Sequence, residues 1–112
     1  MNQRWGVLLL AGSLALCAAG ALRAEEAGTR LTIRDHKFEP AEIVVPAGQK
    51  VKLFIENLDS TPEEFESYEL NREKVVPAKS TVFIFVGPLQ AGRYPFFGDY
   101  NRDTAKGVLI AK

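Results

Sequence analysis

Sulfur is almost absent from this chain, and what there is stands at one end. The 112 residues hold one cysteine (Cys17), one methionine (Met1) and one tryptophan (Trp5). From Glu25 onward there is no thiol or thioether, so no disulfide can form and no soft sulfur ligand is on offer for a metal. Histidine is nearly as scarce, since His36 stands alone. Neither a Ser/His/Asp nor a Cys/His arrangement can be assembled unless His36 serves by itself. There is no Gly-rich phosphate loop and no block of basic residues, which argues against nucleic acid as a partner. No stretch after residue 24 carries a 3.6-residue apolar period over three turns, so long helices are not expected there.

What is present at the N-terminus explains where the sulfur went. Met1-Asn2-Gln3-Arg4 gives a short basic head, Trp5 to Ala19 is nearly free of charge, and small residues lead to Ala24 before Glu25-Glu26. Basic head, apolar centre and small-residue exit are the layout of a secretory signal peptide. The apolar run is about 15 residues, short of the roughly 20 that a spanning helix needs. Cleavage after Ala21 (Ala19-x-Ala21) or after Ala24 would remove the cysteine, methionine and tryptophan together, and a retained anchor is the alternative. With cleavage after Ala24, the expected domain is residues 25–112, with 12 basic and 14 acidic side chains and a charge of about −2. A chain of that size buries one core, at roughly 60–65% of its unfolded surface. The expected location is the periplasm.

The remaining sequence reads as strands. Thr29 to Asp35 alternates polar and apolar, and Phe38 and Pro40 follow in a bend. Glu42-Ile43-Val44-Val45 is a second short strand that stops at Pro46-Ala47-Gly48. Gln49 to Asn57 alternates again, with Val51, Leu53 and Ile55 inward and Lys50, Lys52 and Glu56 outward. Beyond the acidic segment Glu63–Glu73 come Val75-Val76, Thr81 to Val86, Arg93 to Phe97 and Gly107 to Ala111. Seven or eight short strands at roughly ten-residue spacing, separated by Gly and Pro turns, predict a single all-β sandwich.

Oxygen ligands are plentiful where sulfur is not. On a strand Glu64 and Glu66 share a face, with Glu63 on the other unless it still belongs to the preceding turn. Two carboxylates on one face repel unless a cation or an arginine lies between them. The competing reading is a solvated edge strand kept acidic against aggregation. His36 is a candidate ligand or an ordinary loop residue. Asp99 follows Tyr94-Pro95-Phe96-Phe97-Gly98 and reads either as a ligand at an aromatic rim or as a loop hydrogen-bond acceptor.

The order of motifs resembles a cupredoxin domain from about Thr29 to Lys112. The opening is Phe38-Glu39-Pro40-Ala41-Glu42-Ile43-Val44-Val45-Pro46-Ala47-Gly48, followed by a strand ending at Asn57, Glu64-Phe65-Glu66, Gly92-x-Tyr94 and Lys106-Gly107. The fold implied is a Greek-key β-sandwich, in agreement with the alternation. The resemblance places the ligand positions of blue-copper members at Glu63, Gly98, near Asn101 and near Ala105, none of which matches the His, Cys, His and Met found there.

Thr61 to Ser67 (Thr-Pro-Glu-Glu-Phe-Glu-Ser) and Tyr94 to Asp99 together resemble the EfeO-type cupredoxin-like proteins, in particular the small FtrB-like periplasmic subunits that accompany ferrous-iron permeases. That resemblance implies an iron-handling protein, proposed to oxidise Fe(II) to Fe(III), with an iron permease and a companion periplasmic iron-binding protein as partners. It carries metal ligation to Glu64, Glu66 and Asp99, and with them His36 and Glu63. Hard carboxylates suit iron and are poor for Cu(I). A ferroxidase would also need an electron acceptor, which the sequence does not supply. Two alternatives stay open. One is a non-metallated sandwich docking on a membrane or periplasmic partner through its acidic segment, and the other is a low-affinity Cu(II) carrier that depends on His36.

Overall fold

A computed structural model of the chain describes residues 28–112. The expected leader, residues 1–24, lies outside them. Nine strands form in order: β1 (Thr29–Arg34), β2 (Lys37–Glu39), β3 (Glu42–Val45), β4 (Val51–Asn57), β5 (Glu63–Ser67), β6 (Arg72–Val76), β7 (Thr81–Val86), β8 (Gly92–Gly98) and β9 (Lys106–Ala111). A 3-10 turn at Asp99–Asn101 follows β8 and is the only helical element among the described residues. The strands make two sheets, ordered β2-β1-β4-β7 and β3-β9-β8-β5-β6. Pairing is antiparallel except for β1 with β4 and β3 with β9, which run parallel. The chain crosses repeatedly from one sheet to the other, giving the expected cupredoxin-like sandwich.

Alternation decides which residues enter the core. Leu31 and Ile33 of β1, Val51, Leu53 and Ile55 of β4, and Ile84 and Val86 of β7 are buried from one side. Ile43, Val45, Phe65, Val76, Phe96, Leu109 and Ala111 meet them from the other. Phe38 joins both sets, standing edge-on to Phe96 at 5.0 Å and to Phe65 at 6.1 Å, while Phe65 and Phe96 lie 5.1 Å apart. Gly107 sits opposite Phe96, and a Cβ there would come within 2.5 Å of the ring and 2.9 Å of the Ala41 carbonyl. The absence of a side chain at 107 is therefore a packing requirement of the aromatic core.

The short strand β2 occupies what the sequence suggested was a bend. Asp35 and His36 both take positive φ (53° and 59°), a two-residue turn that pairs Arg34 with Lys37. Neither residue is glycine, but Asp and His tolerate this region better than most. Asp59 holds the turn from across the loop, its two carboxylate oxygens accepting the N–H of Asp35 (2.7 Å) and of His36 (3.0 Å). Asp59 is itself placed by the buried Asn57, whose side-chain oxygen accepts its N–H at 2.9 Å and whose amide donates to the carbonyls of Thr61 and Val76. Partial burial works against the Asp59 charge. The two N–H donors and the nearby His36 and Lys79 outweigh it and hold the carboxyl below its ordinary value.

Two outcomes follow. Phe96→Ala should cost about 3–5 kcal/mol in urea unfolding, whereas Val44→Ala, at an exposed position of β3, should stay within about 0.5 kcal/mol. Because the Asp59 pKa is lowered in the fold, its stabilisation is present above the unfolded carboxylate value and is lost as pH falls through the folded one. Unfolding of Asp59→Ala followed against pH should show a flatter acid limb than the wild-type chain.

Candidate metal centre

Strand β5 sends its acids to opposite sides. Glu63, Phe65 and Ser67 are buried, and Glu64 and Glu66 lie half-buried on the outer face. Cross-strand register sets Glu66 beside Glu73 of β6 on one flank and Phe97 of β8 on the other. The strand then ends at Gly98 and the 3-10 turn carries Asp99 back over the same outer face. Carboxylate oxygens of Glu64, Glu66 and Asp99 all lie within 4.8 Å of one another. This is the one grouping of three or more potential ligands among the described residues.

The electrostatics of the cluster follow from its crowding. The Glu64 pKa is raised by partial desolvation, by Glu73, by its hydrogen bond and charge contact with Asp99, and by Glu66. That of Glu66 is raised by partial desolvation and by Glu73, then by Asp99, with Arg102 opposing. Arg102 is the counter-charge. Its guanidinium donates from both Nε (2.8 Å) and Nη2 to one Asp99 oxygen, and its own pKa is raised by that contact. The same guanidinium lies 4.9 Å from the centre of the Phe97 ring, which in turn stands edge-on to Tyr68 at 5.4 Å. Three oxygens so placed can share a proton, accept an arginine or ligate a hard cation.

Glu63 does something else. It is 1% exposed, and its carboxyl accepts the N–H of Glu64 (3.0 Å) and of Tyr100 (2.9 Å) on one oxygen and the Asn101 amide (2.7 Å) on the other. Gly98 packs flat against it. A Cβ at 98 would lie 2.6 Å from the Glu63 carboxyl carbon and 2.7 Å from the Ala105 Cβ, both below any real contact. The Gly98 N–H meanwhile donates to the Ala105 carbonyl at 2.9 Å. The four positions that the resemblance aligned with copper ligands thus converge in space. They hold one carboxyl and one amide, hydrogen-bonded to each other, with no imidazole and no thiolate. A cysteine at 98 would collide with Glu63 and Ala105.

His36 stands apart from the acidic cluster. Its N–H is held by Asp59, its ring Nδ1 is 3.6 Å from an Asp59 oxygen, and its carbonyl accepts the Thr104 hydroxyl at 2.6 Å. Of the five candidate ligands, the structure brings together Glu64, Glu66 and Asp99, turns Glu63 inward and leaves His36 on the β1–β2 turn. Glu73 and Arg102 complete the electrostatic surroundings of the cluster; the sequence marked Glu73 as part of the acidic segment without making it a ligand, and gave Arg102 no role. The signal for Glu73 was the β5–β6 hairpin, whose turn at Tyr68–Asn71 pairs residue 66 with 73. Arg102, three residues after Asp99, had no comparable signal.

These features define a two-sheet sandwich with a hydrogen-bonded interior end and an acidic outer rim. The profile of the cupredoxin-like domain matches residues 6–111, and the chain belongs to that family. It is similar to the protein RP394 of Rickettsia prowazekii (strain Madrid E), 47% identical over 81 residues, a match covering 72% of this chain and 65% of that protein's length. Among solved structures, auracyanin A, a blue copper protein from Chloroflexus aurantiacus, superposes with a TM-score of 0.66 at 14% identity, over 77% of this chain and 98% of that one. Amicyanin from Paracoccus versutus gives 0.61 at 14% identity, over 78% and 83%. At such identities the likeness establishes the fold.

The contact between Gly98 and Glu63 yields a double-mutant test. Glu63→Ala should cost about 2–4 kcal/mol by leaving buried donors unpartnered, and Gly98→Ala about 1–3 kcal/mol by overpacking. The double variant should be less destabilised than the sum by about 0.5–3 kcal/mol, because removing the carboxyl makes room for the methyl. Additive urea-unfolding energies would contradict the proposed contact.

Proposed function

We propose that this is an exported iron-binding protein of the EfeO/FtrB type that serves a ferrous-iron transport system, with iron as its cargo. The observation that carries the reading is the convergence of Glu64, Glu66 and Asp99 within 4.8 Å on one rim. A hard, oxygen-only donor set suits iron and disfavours Cu(I). The interior end of the fold supports the same choice. With Glu63 hydrogen-bonded on both oxygens and no space for a side chain at 98, the residues there do not fit a blue-copper centre. Auracyanin A is described as a blue copper protein, and the present chain keeps that fold while offering different donors.

Anionic oxygen ligands favour Fe(III) over Fe(II), because the higher charge interacts more strongly with them. They therefore lower the reduction potential of the bound ion. Oxidation itself needs a one-electron acceptor, which this reading assigns to a partner. The partners proposed are a companion periplasmic iron-binding protein and an iron permease. Capture of the cation requires Arg102 to give up Asp99, and in acid it competes with the protons that Glu64 and Glu66 hold more tightly than usual. A second reading, a metal-free adaptor in the periplasm, is favoured by the Arg102–Asp99 pairing, which already neutralises part of the rim.

Anaerobic Fe(II) titration of the exported protein separates the two. Glu66→Ala and Asp99→Ala should each weaken binding at least roughly ten- to hundredfold, a loss in the range seen even for outer-shell partners of metal sites, while His36→Ala changes it little. Because the Glu64 and Glu66 pKa values are raised, affinity should climb as pH rises through and above the ordinary carboxylate range. Iron affinity unaltered in both rim variants would rule out this site, and no binding at all would favour the adaptor.

A further inference from the structure

The outer face of the β2-β1-β4-β7 sheet lies on the opposite side of the sandwich from the acidic rim. Alternation turns Arg30 of β1, Lys52 and Phe54 of β4, and Phe83 and Phe85 of β7 toward solvent. Register sets Arg30, Phe54 and Phe83 in one cross-strand row and Lys52 beside Phe85 in the next. The rings contact one another, with Phe54–Phe83 at 6.2 Å and Phe83–Phe85 at 5.7 Å. Cations lie over all three. Arg30 is 4.7 Å above Phe54, Lys52 spans Phe54 (5.0 Å) and Phe83 (4.2 Å), and Lys50 is 4.4 Å above Phe85. Even so, Phe83 and Phe85 remain 47% and 41% exposed. Among the described residues no acid stands in these two rows, and the next row holds two, Glu39 and Glu56, with Thr32 and Thr81.

We propose that this face seats on the surface of a negatively charged lipid bilayer. Phenylalanine rings flanked by basic side chains on one side of a fold are the composition of an interfacial membrane contact, rings entering the headgroup boundary and charges reaching the phosphates. The identity of the cations favours lipid over protein. Two of the three are lysines on flexible stems, a residue depleted from the cores of protein interfaces and suited to a fluid layer of phosphates. Seated this way, the protein turns Glu64, Glu66 and Asp99 away from the bilayer and its negative potential. The proposal does not depend on whether that rim holds iron.

The test is cosedimentation of the exported, soluble protein with vesicles of pure phosphatidylcholine or of phosphatidylglycerol-rich lipid. Pelleting with the anionic vesicles alone, and its loss in molar salt, is the expected result. The double variant Lys50→Glu/Lys52→Glu should weaken it by more than tenfold, at roughly fivefold per cation removed. Phe83→Ser/Phe85→Ser should weaken binding comparably, with rings rather than charges removed. Neither pair of positions lies in the core, and a thermal unfolding midpoint close to wild type identifies folded variants. Equal pelleting with both lipids, none with either, or unchanged pelleting of both double variants would overturn the proposal. Capture by an acidic protein with no vesicle binding would overturn it as well.

Discussion

The rest of the site end depends on the buried carboxyl of Glu63. A group of that polarity, 1% exposed, is tolerated in a core only when its lone pairs are taken up, and here three donors converge on it. Two of those donors, the Tyr100 amide and the Asn101 side chain, belong to the turn after β8. Glu63 therefore ties β5 to the loop that in a metal-centred sandwich an ion could hold. Gly98 is required by the same contact, since any Cβ would displace the carboxyl. The position of Asp99 is then a consequence. Fixed between Gly98 and Tyr100, it emerges over the outer face where β5, one residue on from Glu63, has placed Glu64. One strand closes the interior with one acid and builds the rim with its neighbours.

Two-residue alternation was enough to read most of this fold from its sequence. Val51, Leu53 and Ile55 point inward as the pattern of Gln49–Asn57 requires, and Phe96 is core while Phe97 is not. The ninth strand was not legible, because β2 is made by an Asp-His turn that gains its stability from Asp59, 23 residues away from His36. Long-range hydrogen bonds of that kind leave no local trace. The direction of Glu63 depended on whether β5 begins at residue 63 or later, a boundary that alternation alone does not settle. Thr81–Val86 shows a different failure. The run is nearly continuously apolar, so alternation does not mark its two faces, and Phe83 and Phe85 face solvent with Lys50 and Lys52 over their rings. Lys52 of the neighbouring strand β4, and Lys50 just before it, supply the polar cover that the run itself lacks.

A near-zero net charge conceals a strong separation of charge across the sandwich. One outer face gathers Glu64, Glu66, Glu73 and Asp99, opposed chiefly by Arg102, and the other gathers Arg30, Lys50 and Lys52 around three phenylalanines. Neither grouping improves the packing of the core between them. The acids in particular raise each other's proton affinity, an arrangement that costs stability at neutral pH unless something positive is bound. A fold selected for stability alone would intersperse these charges.

In the proposed reading, that cost is what makes the rim useful. Carboxyls whose protons are held more tightly than usual exchange them for a cation only when the pH is high enough, so loading and release become coupled to local acidity. A rim of this kind binds without great tightness, because Arg102 already holds Asp99 and protons compete with the cation for Glu64 and Glu66, whose pKa values are raised. Those are the properties of a site that passes an ion on. A site meant to retain iron would bury its ligands and leave them no alternative, as the interior of this sandwich does with Glu63. The two carboxyl environments of β5, one satisfied and enclosed, the other crowded and open, thus divide holding the fold from handling the cargo.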